Sequence, residues 1–149
     1  VRGLVDWQTT DSNAVARGFR VYTSGAALVV QTGPDSGSYA ANGVFISTAT
    51  LAINTWYLAV VTYRPGGPIS VWINSKTQDA TVFTPTLPQI GLTNFNGVFL
   101  GNRYMSNGVV QSVLDGDIAY AGAYSRILSA ADREALIDFL ASRFAITLV

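Results

Sequence analysis

The sequence predicts an all-β protein of the sandwich or barrel kind, with one short α-helix near its C-terminus. Three observations predict it. Short β-branched and aromatic runs broken by turn residues follow one another from Gly18 to Tyr124. A sharp hairpin signal sits near the middle of the chain, and a single capped amphipathic stretch follows the last of the strand-like runs.

The first runs are "GFRVY" (18–22), "AALVVQ" (26–31) and "GVFIS" (43–47), separated by Thr23-Ser24-Gly25 and by the loop "TGPDSGSYAAN". "WYLAVVTY" (56–63) is apolar on both faces, which predicts a strand in the middle of a sheet. "RPGGP" (64–68) turns the chain, and "ISVWI" (69–73) returns with Ile69, Val71 and Ile73 on one face, so the two runs form a hairpin. "NSKTQD" turns it again. Weak strands are expected near 79–83 and 87–91, and "GVFLGN" (97–102) and "GDIAYAGAYS" (116–125) are expected to close the β part. The helix begins at Ser129, an N-cap residue with an acid, Asp132, three positions on. Leu136, Ile137, Leu140 and Phe144 then form an apolar stripe that covers the β structure. "AITLV" at the end reads either as an edge strand or as a contact with a neighbour.

At 149 residues the chain is expected to be one domain spanning 1–149. It begins with Val, which we read as a processed product or a piece of something longer. Apolar residues make up 49% and charged residues only 12%, so the chain folds, and its surface is uncharged or partly buried against a partner. The net charge is +0 and the basic residues form no run, which argues against nucleic acid as a partner. No stretch approaches the roughly 20 apolar residues of a membrane helix, so membrane insertion is not expected. There is no Cys and no His, which removes disulfides, thiolate and Ser-His-Asp chemistry and histidine metal ligands together.

Three stretches in order resemble a known family. "NTWYLAVVTYRPGGPISVWINSK" is similar to the central hairpin of laminin-G-like domains, "GVFLGNR" to their strand ending in Gly and a polar residue, and "LDGDIAYAGAYSRILSAADREALIDFLASRFAI" to their last strand and terminal helix. The resemblance implies the concanavalin A-like lectin/glucanase jelly roll, a two-sheet antiparallel β-sandwich with one short C-terminal helix, of the bacterial or phage laminin-G-like type. It covers residues 43–146. The chain departs from the family in having Asn74-Ser75 where Asn-Gly is usual and Tyr120 where many relatives carry an acid. The family also has one or two strands before the matching part, which the first forty residues supply in altered form or which lie outside this sequence.

Hydrolytic members of that superfamily use a Glu-x-Asp-x-x-Glu strand. Here the single glutamate, Glu134, lies in the predicted helix, so no enzyme is expected. Asp115 and Asp117 stand at i and i+2 and could pair as acid and base on a strand face, but a turn acid entering a strand explains them as well. Calcium is the cofactor the resemblance allows. The predicted loops offer Asp6, Asp11, Asn13, Asp35, Asn94, Asn96 and Asp115 as oxygen groups, but in no spacing that marks a site; each is read as a turn former, and no metal ligand is named.

Carbohydrate binding needs an aromatic platform beside amides or hydroxyls. "LTNFNG" and "GNRYMSNG" have that make-up, and "SGSYAANG" offers another ring, so the sugar-binding candidates are Tyr39, Phe95, Asn96, Asn102 and Tyr104. Trp56 and Trp72 are assigned to the core. The function expected is a noncatalytic module that binds a glycan or surface for a larger extracellular, cell-surface or virion protein. The alternative is a structural or decoration subunit of a phage or viral particle, held by neighbouring protein subunits through its uncharged surface and apolar tail.

Overall fold

A computed structural model describes residues 2–9, 17–33, 43–63, 68–79, 95–101, 103–104, 110–111 and 114–149. Five strands form one antiparallel sheet in the order β4-β3-β2-β1-β7: β1 (Arg2–Thr9), β2 (Arg17–Ser24), β3 (Ala27–Gly33), β4 (Gly43–Ile46) and β7 (Phe95–Leu100). A second ladder pairs β5 (Ala59–Tyr63) with β6 (Ile69–Ile73), and a short third one pairs β8 (Arg103–Tyr104) with β9 (Val110–Gln111).

The predicted hairpin is present, with Ala59 opposite Ile73 and Tyr63 opposite Ile69. Its alternation does what the pattern requires, since Ile69, Val71 and Ile73 all turn inward and are buried. They meet Val21 of β2 and Leu28 and Val30 of β3, so the core lies between the five-stranded sheet and the β5–β6 hairpin. Each such side chain contributes about 1.5–3 kcal/mol relative to exposure. Two facing antiparallel sheets with a shared core make a β-sandwich.

Strand β3 is buried on its other face too, at Val29 and Gln31. Gln31 stands opposite Arg20 in register, and its Oε1 accepts from Arg20 Nε at 2.7 Å and from a second guanidinium nitrogen. The guanidinium also lies 4.9 Å from the centre of the Tyr22 ring. A buried amide is therefore satisfied by its cross-strand partner. At the end of β4 the Ser47 hydroxyl accepts the Leu28 N–H at 2.9 Å and donates to the Ala49 carbonyl at 3.0 Å. Beside it the Asp79 carboxylate takes the Thr48 hydroxyl at 2.6 Å and the Thr48 and Ala49 amides at 3.2–3.4 Å, which braces this rim of the sandwich.

Helix α1 spans Ala130–Arg143, with Ser129 as the N-cap accepting the Asp132 N–H at 3.1 Å. Ile137, Leu140 and Ala141 are buried. Arg133 holds its guanidinium 4.1 Å from the centre of the Trp72 ring, and Lys76 meets Asp138 at 2.7 Å, so the helix is fastened to the end of β6. After the helix Phe144, Ile146 and Leu148 are half-buried, and the Val149 N–H donates to the Asn74 carbonyl at 2.7 Å. The apolar tail thus docks on its own hairpin, although it forms no strand.

Two expectations need correction, and one strand is added. Strand β1 was not anticipated, yet it lies inside the main sheet between β2 and β7. Among the described residues β5 pairs with β6, and the strands expected near 79–83 and 87–91 lie almost wholly outside them. Residues 116–125 form no strand: the segment is irregular and exposed, because Ala119, Ala121 and Ala123 offer little surface to bury and two glycines weaken strand order. Trp72 is core, but Trp56 is 54% exposed, since it stands three residues before the ladder begins. The turn at 64–67 and the weak strands near 79–83 and 87–91 lie wholly or almost wholly outside the described residues.

Candidate functional site

Where β7 ends, Gly101 turns the chain with φ +74°, a left-handed conformation that suits glycine. Its carbonyl accepts the Leu114 N–H at 2.7 Å, which brings the segment 114–121 back beside the strand end. Between them lies a solvent-open cleft of about 450 Å³, lined by Leu100, Gly101, Leu114, Asp117, Ile118 and Tyr120 among others.

Tyr120 is 52% exposed, yet its ring is held. It rests against Gly122, where an added Cβ would come within 2.6 Å of the Tyr120 hydroxyl. On another side it meets the Phe144 ring, centroid to centroid 6.5 Å, tilted by 40°. Asp117 is exposed and makes no hydrogen bond or ion pair among the described residues. The cleft thus offers an oriented aromatic ring, aliphatic neighbours and an unengaged carboxylate. The ring suits the apolar C–H face of a sugar, and the carboxylate accepts from hydroxyls.

The sequence candidates that are described fall on two elements. Phe95 and Asn96 belong to strand β7 rather than to a loop, and Phe95 stands opposite Thr9. Tyr104 is in β8, beyond the other end of β7. Five residues of strand, ~17 Å at ~3.4 Å each, separate Phe95 from Leu100 at the cleft. Gly101, at the cleft wall, precedes Asn102, which with Tyr39 lies outside the described residues.

A family model of the laminin G kind in the concanavalin A-like lectin/glucanase superfamily matches residues 2–132. The chain belongs to this laminin-G-like family. The match includes β1 and so extends further toward the N-terminus than the resemblance read from residues 43–146, which assigns the first forty residues to the domain itself. No curated protein and no solved structure matches the chain.

Asp115 and Asp117 are exposed and lie in a bend, not on a strand face, and Glu134 is in the helix. Among the described residues no group of three or more acidic side chains converges; Asp6 sits in β1, and Asp11, Asn13, Asp35 and Asn94 lie outside the described residues. No helix among the described residues is long and apolar enough to cross a membrane.

Two exposed aromatics escaped the sequence reading. Tyr120 is framed by Ala119, Ala121 and Gly122, and small neighbours around one large ring are the signal that could have found it. Trp56 follows the polar pair Asn54-Thr55 and precedes the hairpin strand, a position at a strand mouth rather than within the ladder.

Proposed function

We propose that this laminin-G-like domain is a noncatalytic carbohydrate- or surface-binding module of a larger extracellular, cell-surface or virion protein, with the cleft beside Tyr120 as its glycan contact. The observation that carries the reading is the Tyr120 ring, half-exposed and oriented by Gly122 and Phe144 over a cleft that also holds Asp117. A ring held in place loses little freedom on binding, so a ligand gains more from it than from a loose surface aromatic. Membership of a superfamily that includes lectins supports the same reading. The test is a glycan array probed with the wild-type domain and with Tyr120→Ala: the reading requires a glycan bound by the first and lost by the second.

A second reading has its own observation. From Asp115 to Ile127 the chain is exposed and carries Ile118, Tyr120, Tyr124 and Ile127, a strip that neighbouring subunits of a phage or viral particle could cover. The apolar tail meets its own hairpin through the Val149–Asn74 hydrogen bond, and Val149 itself is 90% exposed. Light scattering that finds a concentration-independent oligomer would favour assembly over glycan recognition.

A further inference from the structure

The turn that leads into the hairpin exposes Ile53 at 89% and Trp56 at 54%, an uncommon surplus of apolar surface on a short polar connection. The turn is also firmly braced. Leu51 and Tyr57, on its two flanks, pack on the core, and the Leu51 N–H donates to the Ala26 carbonyl at 2.6 Å. The Tyr57 hydroxyl accepts the Ala52 N–H at 2.7 Å, and the Thr55 hydroxyl donates to the Ile53 carbonyl at 3.2 Å. Asn54 adopts a left-handed φ of +55°, and Leu58 is tied to the Asn74 side chain at 2.7 Å. No charged residue occurs between Thr48 and Thr62.

We propose that this turn is a second sugar-binding platform, separate from the Tyr120 cleft and selective for uncharged N-acetylated sugars. The proposal rests on the reading of the domain as a glycan-binding module. The Trp56 ring stacks on the C–H face of the sugar, and the Asn54 amide, exposed and without a hydrogen bond among the described residues, pairs with a hydroxyl or the acetamide. Ile53, three residues from Trp56 on the same turn, supplies an apolar contact that a plain hexose has no group to use, and the methyl of an acetamide does. A protein partner is disfavoured by size. A stable protein contact covers roughly 800 Å² on each side, whereas Ile53 and Trp56 are the only large apolar side chains exposed among the described residues 48–63. The turn's own residues carry no charge and so supply no counter-ion to an anionic sugar.

The experiment titrates N,N′-diacetylchitobiose and cellobiose into the intact domain while following tryptophan fluorescence, and repeats this with Trp56→Ala, Ile53→Ala and Tyr120→Ala. The proposal expects diacetylchitobiose to bind more tightly than cellobiose by about tenfold. It expects Trp56→Ala to abolish the binding, Ile53→Ala to erase the preference, and Tyr120→Ala to leave the preference in place. Equal affinity for the two sugars, or Trp56→Ala binding like wild type, overturns it. If Tyr120→Ala alone removes glycan binding, this inference fails and the cleft reading stands; if no glycan binds at either place, both fail.

Discussion

The Val149 N–H donates to the carbonyl of Asn74 at 2.7 Å, and the same Asn74 accepts the Leu58 N–H on its side-chain Oδ1 at 2.7 Å. One residue in the left-handed region, φ +47°, therefore joins the end of β6, the entry to β5 and the segment after the helix. Asn tolerates that backbone, and its side chain ties the two strands of the hairpin together.

Asn74→Ala is expected to lower stability by about 2 kcal/mol, since alanine loses about 1 kcal/mol in the left-handed region and leaves the Leu58 N–H without its partner. Asn74→Gly keeps the backbone freedom and should cost less. Urea midpoints at unchanged slope measure both.

Ala145 also sits at positive φ, +52°, where the helix ends: the Ile146 N–H reaches the Ala141 carbonyl at 2.9 Å and the Ala145 N–H the Ser142 carbonyl at 3.5 Å. This is the helix-ending geometry in which glycine is usual. Ala145→Gly should therefore raise stability by about 0.5 kcal/mol after the extra freedom of unfolded glycine is subtracted, or about 1–2 °C in Tm. Differential scanning calorimetry checks the sign.

Burial pushes the Tyr63 hydroxyl above its usual pKa of ~10. The folded state thus favours the neutral phenol, so its contribution is fully present below pH ~10 and is lost as pH rises through the higher folded value. Between pH 9 and 11.5, roughly the range that brackets ordinary tyrosine titration, wild type should lose stability relative to Tyr63→Phe. Parallel pH profiles of the two would contradict this.

Gly122→Ala is expected to displace the Tyr120 ring, because the added Cβ would meet its hydroxyl at 2.6 Å while the glycine's own backbone angle is ordinary. The ring is the mobile partner, so Tm should change by less than about 2 °C. Glycan affinity should fall nonetheless, which separates placing the ring from possessing it.

Much of the fold was legible where alternation was clean. Ile69, Val71 and Ile73 declared their face, and Ser129 with Asp132 declared the helix start. Strand β1 was hidden because its pairing is irregular on both sides: the register slips between Gly3 and Val5 against β2 and between Trp7 and Thr9 against β7. The segment 116–125 misled because tyrosine and alanine alternate as a strand does, although alanine brings little to bury. The site was less legible. Phe95 and Tyr104 share a composition, but composition carries no information that β7 separates them, whereas Tyr120 and Trp56 depend on which side chains leave the core.

The central claim is that the Tyr120 cleft binds a glycan, and the most direct measurement is the Kd of the best array ligand for wild type and Tyr120→Ala by isothermal titration calorimetry, with Tm recorded for both. The account predicts saturable binding by wild type and a loss of about tenfold or more in the variant, ~1.4 kcal/mol, at nearly unchanged Tm. Equal affinity in the two proteins, or no saturable glycan binding by folded wild type, would contradict it.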